Sequence, residues 1–217
     1  MKERNVTITL DQARAWFSSG NEQLREIALQ AFSKDELMWD FRNIVTMWGA
    51  CDALRLHYPD IVSIVTSIED VSKASAAAFK LDIVRRALNL GQDLQLARNP
   101  RNSYIYYPYN PLATLAEGCL YYKKELDSGI LEVIGKIKSK GISYNVLNGF
   151  TRHSIVDGVS NFHYHTGVCE ADANFGFLGC ANEEIAKHFG KYFGMLITEA
   201  KYGNMPSFEI VESKYTI

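Results

Sequence analysis

One stretch near the end of the chain restricts the fold more than any other. "NEEIAKHFGKYFGMLITEA" (182–200) reads as a helix with two unlike apolar strips. Ile185, Phe189, Phe193 (or Tyr192) and Leu196 line one face, and Ala186, Gly190 and Gly194 line another at intervals of four. A glycine inside a helix costs about 1 kcal/mol relative to alanine. A strip of small residues is therefore expected where a sheet or another helix comes close. Asn182 is the expected cap, and Glu183 and Glu184 sit favourably in the first turn.

The rest of the chain has to supply what this helix packs against, and its patterning changes midway. The first ninety residues carry helical signals. Thr9 and Gln12 have capping-box spacing, Asn21 can cap "EQLREIALQAF", and Ser33 and Glu36 repeat the box. The segment from Ser33 to Leu56 reads as one helix, with Gly49 its expected interruption. In "SIEDVSKASAAAFKLDIVRRALNLG", Ser67 is the expected cap, and Val71, Ala74, Ala78, Leu81, Val84 and Leu88 form an apolar stripe. "GQDLQLARNPRNS" (91–103) is polar, contains Pro100 and reads as a linker.

After it, "YIYYPY" (104–109) is strand-like, and Pro111 is expected to open a helix stopped by Gly129. "LEVIGKIKSKGISYNVLNGF" alternates as a hairpin turning at Ser139-Lys140-Gly141, with its lysines on a solvated edge. The fold class expected is α+β. A helical domain (1–98) precedes an α+β domain (99–217), in which a small antiparallel, glycine-punctuated sheet region is closed by the C-terminal helix.

Chemistry concentrates in "NFHYHTGVCEADANFGF" (161–177). His163 and His165 share a strand face, but a zinc site needs three or four ligands and no second ligand pair of defined spacing accompanies them. Cys180 precedes a helix cap, where a thiol can be activated. Glu170 and Asp172 share a face, as neighbours on any polar strand do. "GFLGCANEE" matches no phosphate-loop pattern. With two short strands bent at Thr166-Gly167, Asn161, His163, His165, Glu170, Asp172 and Asn174 fall on one face, and Phe162, Tyr164, Val168, Ala171 (offset by a bend), Ala173 and Phe175 on the other. Arg152 and His153 lie just upstream. Residues 150–175 contain no Lys, Gln, Met or Trp, whereas Lys and Gln are usual on an inert solvated face.

The bulk properties remove some classes. The 217-residue chain is 47% hydrophobic and 22% charged, enough to bury a core, and its net charge of -2 carries no basic stripe for nucleic acid. No segment suits a secretory signal or a membrane span. Four cysteines without a CxxC fit reduced thiols better than a disulfide framework.

"TITLDQARAWFSSGNEQLREIALQAF", "AAAFKLDIVRRALNLGQDL", "YIYYPY" and "GFLGCANEEIAKHFGKYFGMLITEAKYG" together resemble a family of gut Bacteroides-type prophage and phage proteins that has no assigned activity. The resemblance covers most of the chain. It implies a helical N-terminal part, a sheet region and a terminal helix. The segment 148–175 is similar in style to the display region of variable proteins of diversity-generating retroelements, which are C-type-lectin-like. The reading that follows is a non-enzymatic ligand-binding or display protein of phage or prophage origin, without a cofactor, cytoplasmic or virion-associated. It would bind a protein or glycan ligand through Arg152, His153, Asn161, His163, His165, Glu170, Asp172 and Asn174. The alternative is a metal- or cysteine-dependent hydrolase centred on His163, His165, Cys169 and Cys180. A third reading is a structural virion or assembly component whose helical half mediates homo-oligomerisation.

Overall fold

A computed structural model describes residues 8–19, 21–90, 103–114, 122–156, 159–163 and 178–215; for 11, 18, 35, 103–105, 109, 149–156 and 159–163 it describes the backbone. The chain divides into two units, Met1–Asp40 and Phe41–Ile217. The break does not fall at the linker expected near residue 98, which lies outside the described residues. The helices from 47 to 88 belong with the sheet because the last of them packs on the C-terminal helix.

The first unit holds α1 (Leu10–Ser18), α2 (Glu22–Ala31) and α3 (Lys34–Met38). The expected caps form: Thr9 and Gln12 make a capping box, Asn21 accepts from Leu24 N, and Ser33 and Glu36 make a second box. Ala13, Ala28 and Leu37 form a small core with Trp16, Phe17 and Phe32 packed against it. Arg14 ties α1 to α3, its Nε donating to Glu36 O at 2.9 Å while its guanidinium lies 4.5 Å from the Trp39 ring centre.

The second unit begins with a 3-10 turn (Phe41–Asn43), followed by α4 (Met47–Ala53), α5 (Tyr58–Glu69) and α6 (Lys73–Leu88). The single helix expected from Ser33 to Leu56 stops at Met38 and restarts where Thr46 Oγ1 accepts from Gly49 N. Gly49 thus lies inside α4 and does not interrupt it. The expected Ser67 cap lies inside α5. The break comes at Asp70-Val71, and Ser72 caps α6 by accepting from Ser75 N. Val71 accordingly leaves the apolar stripe and is 87% exposed, whereas Leu81, Val84 and Leu88 are buried.

The sheet is antiparallel: β1 (Ser103–Tyr109), β2 (Leu112–Thr114), β3 (Glu132–Ser139), β4 (Ile142–Val156), β5 (Val159–His163) and β6 (Glu209–Ser213). Its through-path is β1-β4-β3-β6, with β2 and β5 also paired to β4. The β3–β4 hairpin turns at Lys140 and Gly141, both at positive φ as a type I′ turn requires. Where Pro111 was expected to open a long helix, β2 pairs with β4, and the only helix described there is α7 (Lys123–Asp127). Pairing wins because it carries Ala113 into a core with Tyr122, Leu131 and Leu147. β3 is an interior strand, contrary to the solvated edge expected of its lysines. The edge on that side is β6, whose Glu212 meets Lys136 at 2.6 Å.

The terminal helix α8 (Glu183–Tyr202) is capped by Asn182 and packs on α6, β1, β3 and β4. Both of its strips are buried. A Cβ at Gly194 would fall on Ile134 Cδ1 and Asn110 Nδ2, which explains the small residue. On the facing strand, a Cβ at Gly135 would fall on the Met195 side chain and Glu212 O. Two buried asparagines stitch the layers. Asn110 Nδ2 donates to Leu147 O and to Gly190 O, each at 3.0 Å. Asn89 Nδ2 donates to Arg85 O at 2.8 Å, and its Oδ1 accepts from Ala181 N at 2.8 Å.

Gly194→Ala is expected to destabilise the protein by about 1–3 kcal/mol through overpacking. Gly49→Ala, whose added Cβ meets nothing closer than Thr46 Oγ1 at 3.5 Å, is expected to stabilise by up to about 1 kcal/mol through helix propensity. Urea denaturation of the two variants beside wild type checks both signs.

Candidate functional site

The strand register decides which of the expected binding residues come together. β4 is long enough to pair at both ends. Its first half meets β2 and β3, and its second half meets β1 and β5. Arg152 stands opposite Tyr106 on β1 and His163 on β5, and Ser154 stands opposite Tyr104 and Asn161. Residues opposite one another in an antiparallel pair belong to the same sheet face, and neighbours along a strand alternate. Arg152, Asn161 and His163 therefore share one face with Tyr104 and Tyr106. His153, opposite Ile105 and Phe162, belongs to the other face. The register thus puts Arg152 and His153 of the expected eight on opposite faces of the sheet. His165, Glu170, Asp172 and Asn174, together with the Thr166-Gly167 bend, lie outside the described residues.

The catalytic alternative loses one of its centres. Cys180 forms an isolated bridge to Tyr106 and is 1% exposed. Burial drives its thiol far above the ordinary range, although the Arg85 charge and a hydrogen bond with Asn89 pull the other way. A thiol held protonated and away from solvent is no nucleophile. Cys51 is also buried, and its thiol is raised by burial. Cys169 and His165 lie outside the described residues. Among the described residues, no group of three or more His, Cys, Asp and Glu side chains can hold a metal ion. No helix among them is long and apolar enough to cross a membrane.

A second feature was not expected from the sequence. An open cleft of about 670 Å³ lies in the Phe41–Ile217 unit. One wall is the polar stripe of α8, Glu184, Lys187, His188, Lys191 and Tyr192, spaced as one helix face. The others are Phe41 and Arg42 of the 3-10 turn, and Gly129, Ile130 and the cross-strand pair Glu132 and Asn148 at the hairpin base. The rings form a ladder. Phe41 meets His188 edge-on at 5.4 Å between centroids, and His188 leans on Tyr192 at 4.6 Å. His188 Nε2 lies 2.8 Å from Ile44 O; a carbonyl only accepts, so this nitrogen carries the proton. The stripe on α8 was the available signal, because a polar i, i+3, i+4, i+7 row on an otherwise buried helix marks an opening.

Glu132 is the electrostatic anchor of this cleft. Its Oε1 accepts from Tyr215 OH at 2.8 Å and from Lys214, and its Oε2 lies 3.5 Å from Lys191 Nζ. Burial alone would raise the carboxyl. The hydrogen bonds from Lys214 and Tyr215 and the charges of Lys191 and Lys214 outweigh it and hold Glu132 below its usual range. Lys191 is desolvated but raised overall by Tyr215 and Glu132, and Tyr215 is raised by burial and by its bond to Glu132. Each partner thus favours the state that it holds near neutrality.

A depressed carboxyl adds stability that is present above its unfolded pKa, about 4.3, and lost as pH falls through the lower folded value. Raised Lys191, Lys214 and Tyr215 add stability that is lost only as pH climbs through their folded values. The melting temperature of wild type is expected to exceed that of Glu132→Gln by a constant margin around neutral pH. The margin is expected to close in acid below about 4.3. Circular-dichroism melts of both proteins across pH test this; a margin that persists in acid would show that the charge of Glu132 is not what holds the contact.

No family model, no curated protein and no solved structure matches this chain.

Proposed function

We propose that this chain is a non-enzymatic ligand-binding protein that displays its contact surface on the limb formed by β1, the second half of β4, and β5. The observation that carries the reading is the register. It gathers Arg152, Asn161 and His163 into one face beside Tyr104 and Tyr106. A cation, an amide, an imidazole and phenol rings offer donors, acceptors and stacking surface at low conformational cost, the mixture on which contact surfaces draw. The limb extends from a sheet backed by α8, so the surface is held on a rigid scaffold.

The resemblance to prophage and phage proteins supports a display role and a virion-associated or cytoplasmic setting. The compositional gap at 150–175 points the same way. The partner class proposed is a protein or a glycan. The buried thiol of Cys180 weighs against the hydrolase reading.

The test is a glycan array and a panel of purified bacterial surface proteins, probed with wild type and with the triple variant Arg152→Ser, Asn161→Ser, His163→Ser. Wild type is expected to bind a defined subset. The triple variant is expected to lose at least tenfold in affinity, about 1.4 kcal/mol, without a change in melting temperature. Lys138→Ala, on an exposed residue of β3, is the control expected to bind normally. Equal binding by the triple variant, or binding to no member of either panel, would reject the reading.

A further inference from the structure

We infer that the cleft between α8, the hairpin base and the 3-10 turn is a binding site for a small aromatic carboxylate, separate from the strand-face surface and not dependent on it. Four observations carry this. The first is size: about 670 Å³ falls within the range of small-ligand pockets. The second is the apolar content. The ring ladder of Phe41, His188 and Tyr192 forms a wall, and Ile130, 58% exposed, adds an aliphatic patch. Aromatic rings stack offset or edge-on against such a wall and gain about 0.5–1.5 kcal/mol beyond area burial.

The third observation is charge. Four cations, Arg42, Lys187, Lys191 and Lys214, are held by three carboxylates, Glu184, Glu183 and Glu132. The one surplus positive charge lies at Glu132, which holds both Lys191 and Lys214. This suits a monoanion and disfavours a phosphate dianion, which would meet these glutamates without enough compensation. The fourth is how the cations are held. Glu132 takes its close contacts from the C-terminal segment, through Lys214 and Tyr215, while Lys191 stands 3.5 Å away. That is longer than the roughly 2.7–2.9 Å of a charge-assisted hydrogen bond, so Lys191 gives up only a long contact with Glu132 and its bond to Tyr215 on turning to a ligand. Arg42 pairs with Glu184 at 2.7 Å, but both side chains are largely exposed, and such surface pairs exchange readily.

The experiment is a titration of ¹⁵N-labelled full-length protein with benzoate and indole-3-acetate, beside benzyl alcohol and inorganic phosphate. Both carboxylates are expected to saturate with Kd of about 1 mM or tighter, shifting amides at 129–132 and 184–192. The alcohol and phosphate are expected to bind at least tenfold more weakly. Ile130→Glu, at an exposed position, is expected to abolish the shifts without changing the melting temperature. Lys187→Gln with Lys191→Gln is expected to weaken binding about tenfold. The inference is overturned if neither carboxylate saturates, if the shifts fall outside the cleft, if phosphate binds as well as benzoate, or if folded Ile130→Glu binds normally.

Discussion

Everything in the larger unit depends on how closely α8 approaches the sheet. Gly194 sits where any side chain would strike Ile134 and Asn110, and Met195 fills the space that Gly135 leaves on β3. Close packing of this kind fixes the axial position of the helix as well as its distance, because a shift along the axis would put a larger residue against the strand. With the axis fixed, one face of α8 buries Ile185, Phe189, Phe193 and Leu196. Its polar stripe faces the 3-10 turn and the hairpin base. The cleft follows from the packing, since three segments held apart by a rigid core leave a gap lined by what the helix does not bury.

The buried polar groups at this junction do structural work that apolar residues could not. Asn110 bridges a strand carbonyl and a helix carbonyl, and Asn89 bridges the end of α6 and the segment entering α8. A buried backbone group without a partner costs about 1–3 kcal/mol, and Asn89 supplies one to the Ala181 N–H where α6 meets the segment entering α8. The same segment carries Cys180 in its bridge to Tyr106, which is why that thiol is sealed off. β4 then extends the core outward, since one continuous strand belongs both to the packed sheet and to the limb carrying Arg152. The two candidate surfaces are thus attached to one core by different elements.

How much was legible can be judged from particular residues. The caps at Thr9, Asn21, Ser33 and Asn182 were readable because capping is settled within four residues of chain. Ser67 and Ser72 are both plausible caps by the same rule, and the choice between them rests on which turn α5 and α6 need in order to pack. Residues 112–114 form a strand although Pro111 suits a helix start, because β4 offers a partner that no local signal announces. Strand alternation placed Asn161 and His163 together. It also sets Arg152 and His153 on opposite faces, but which of the two joins Asn161 depends on the register between β4 and β5. The cleft draws on residues from 41 to 192, and no spacing rule joins positions so far apart.

The amino-acid sequence by itself determined the α+β class, the helix ends marked by caps, the Lys140-Gly141 turn and the two-sided character of the last helix. Each of these is set by backbone preferences and side-chain periodicity within a few residues. Only the tertiary structure decided that the chain divides after Asp40, that β6 and not β3 is the edge, which face receives Arg152, and that Glu132 anchors a cleft. Those outcomes depend on pairings between distant segments, where the free energy of burial and strand registry exceeds any local preference of the residues involved.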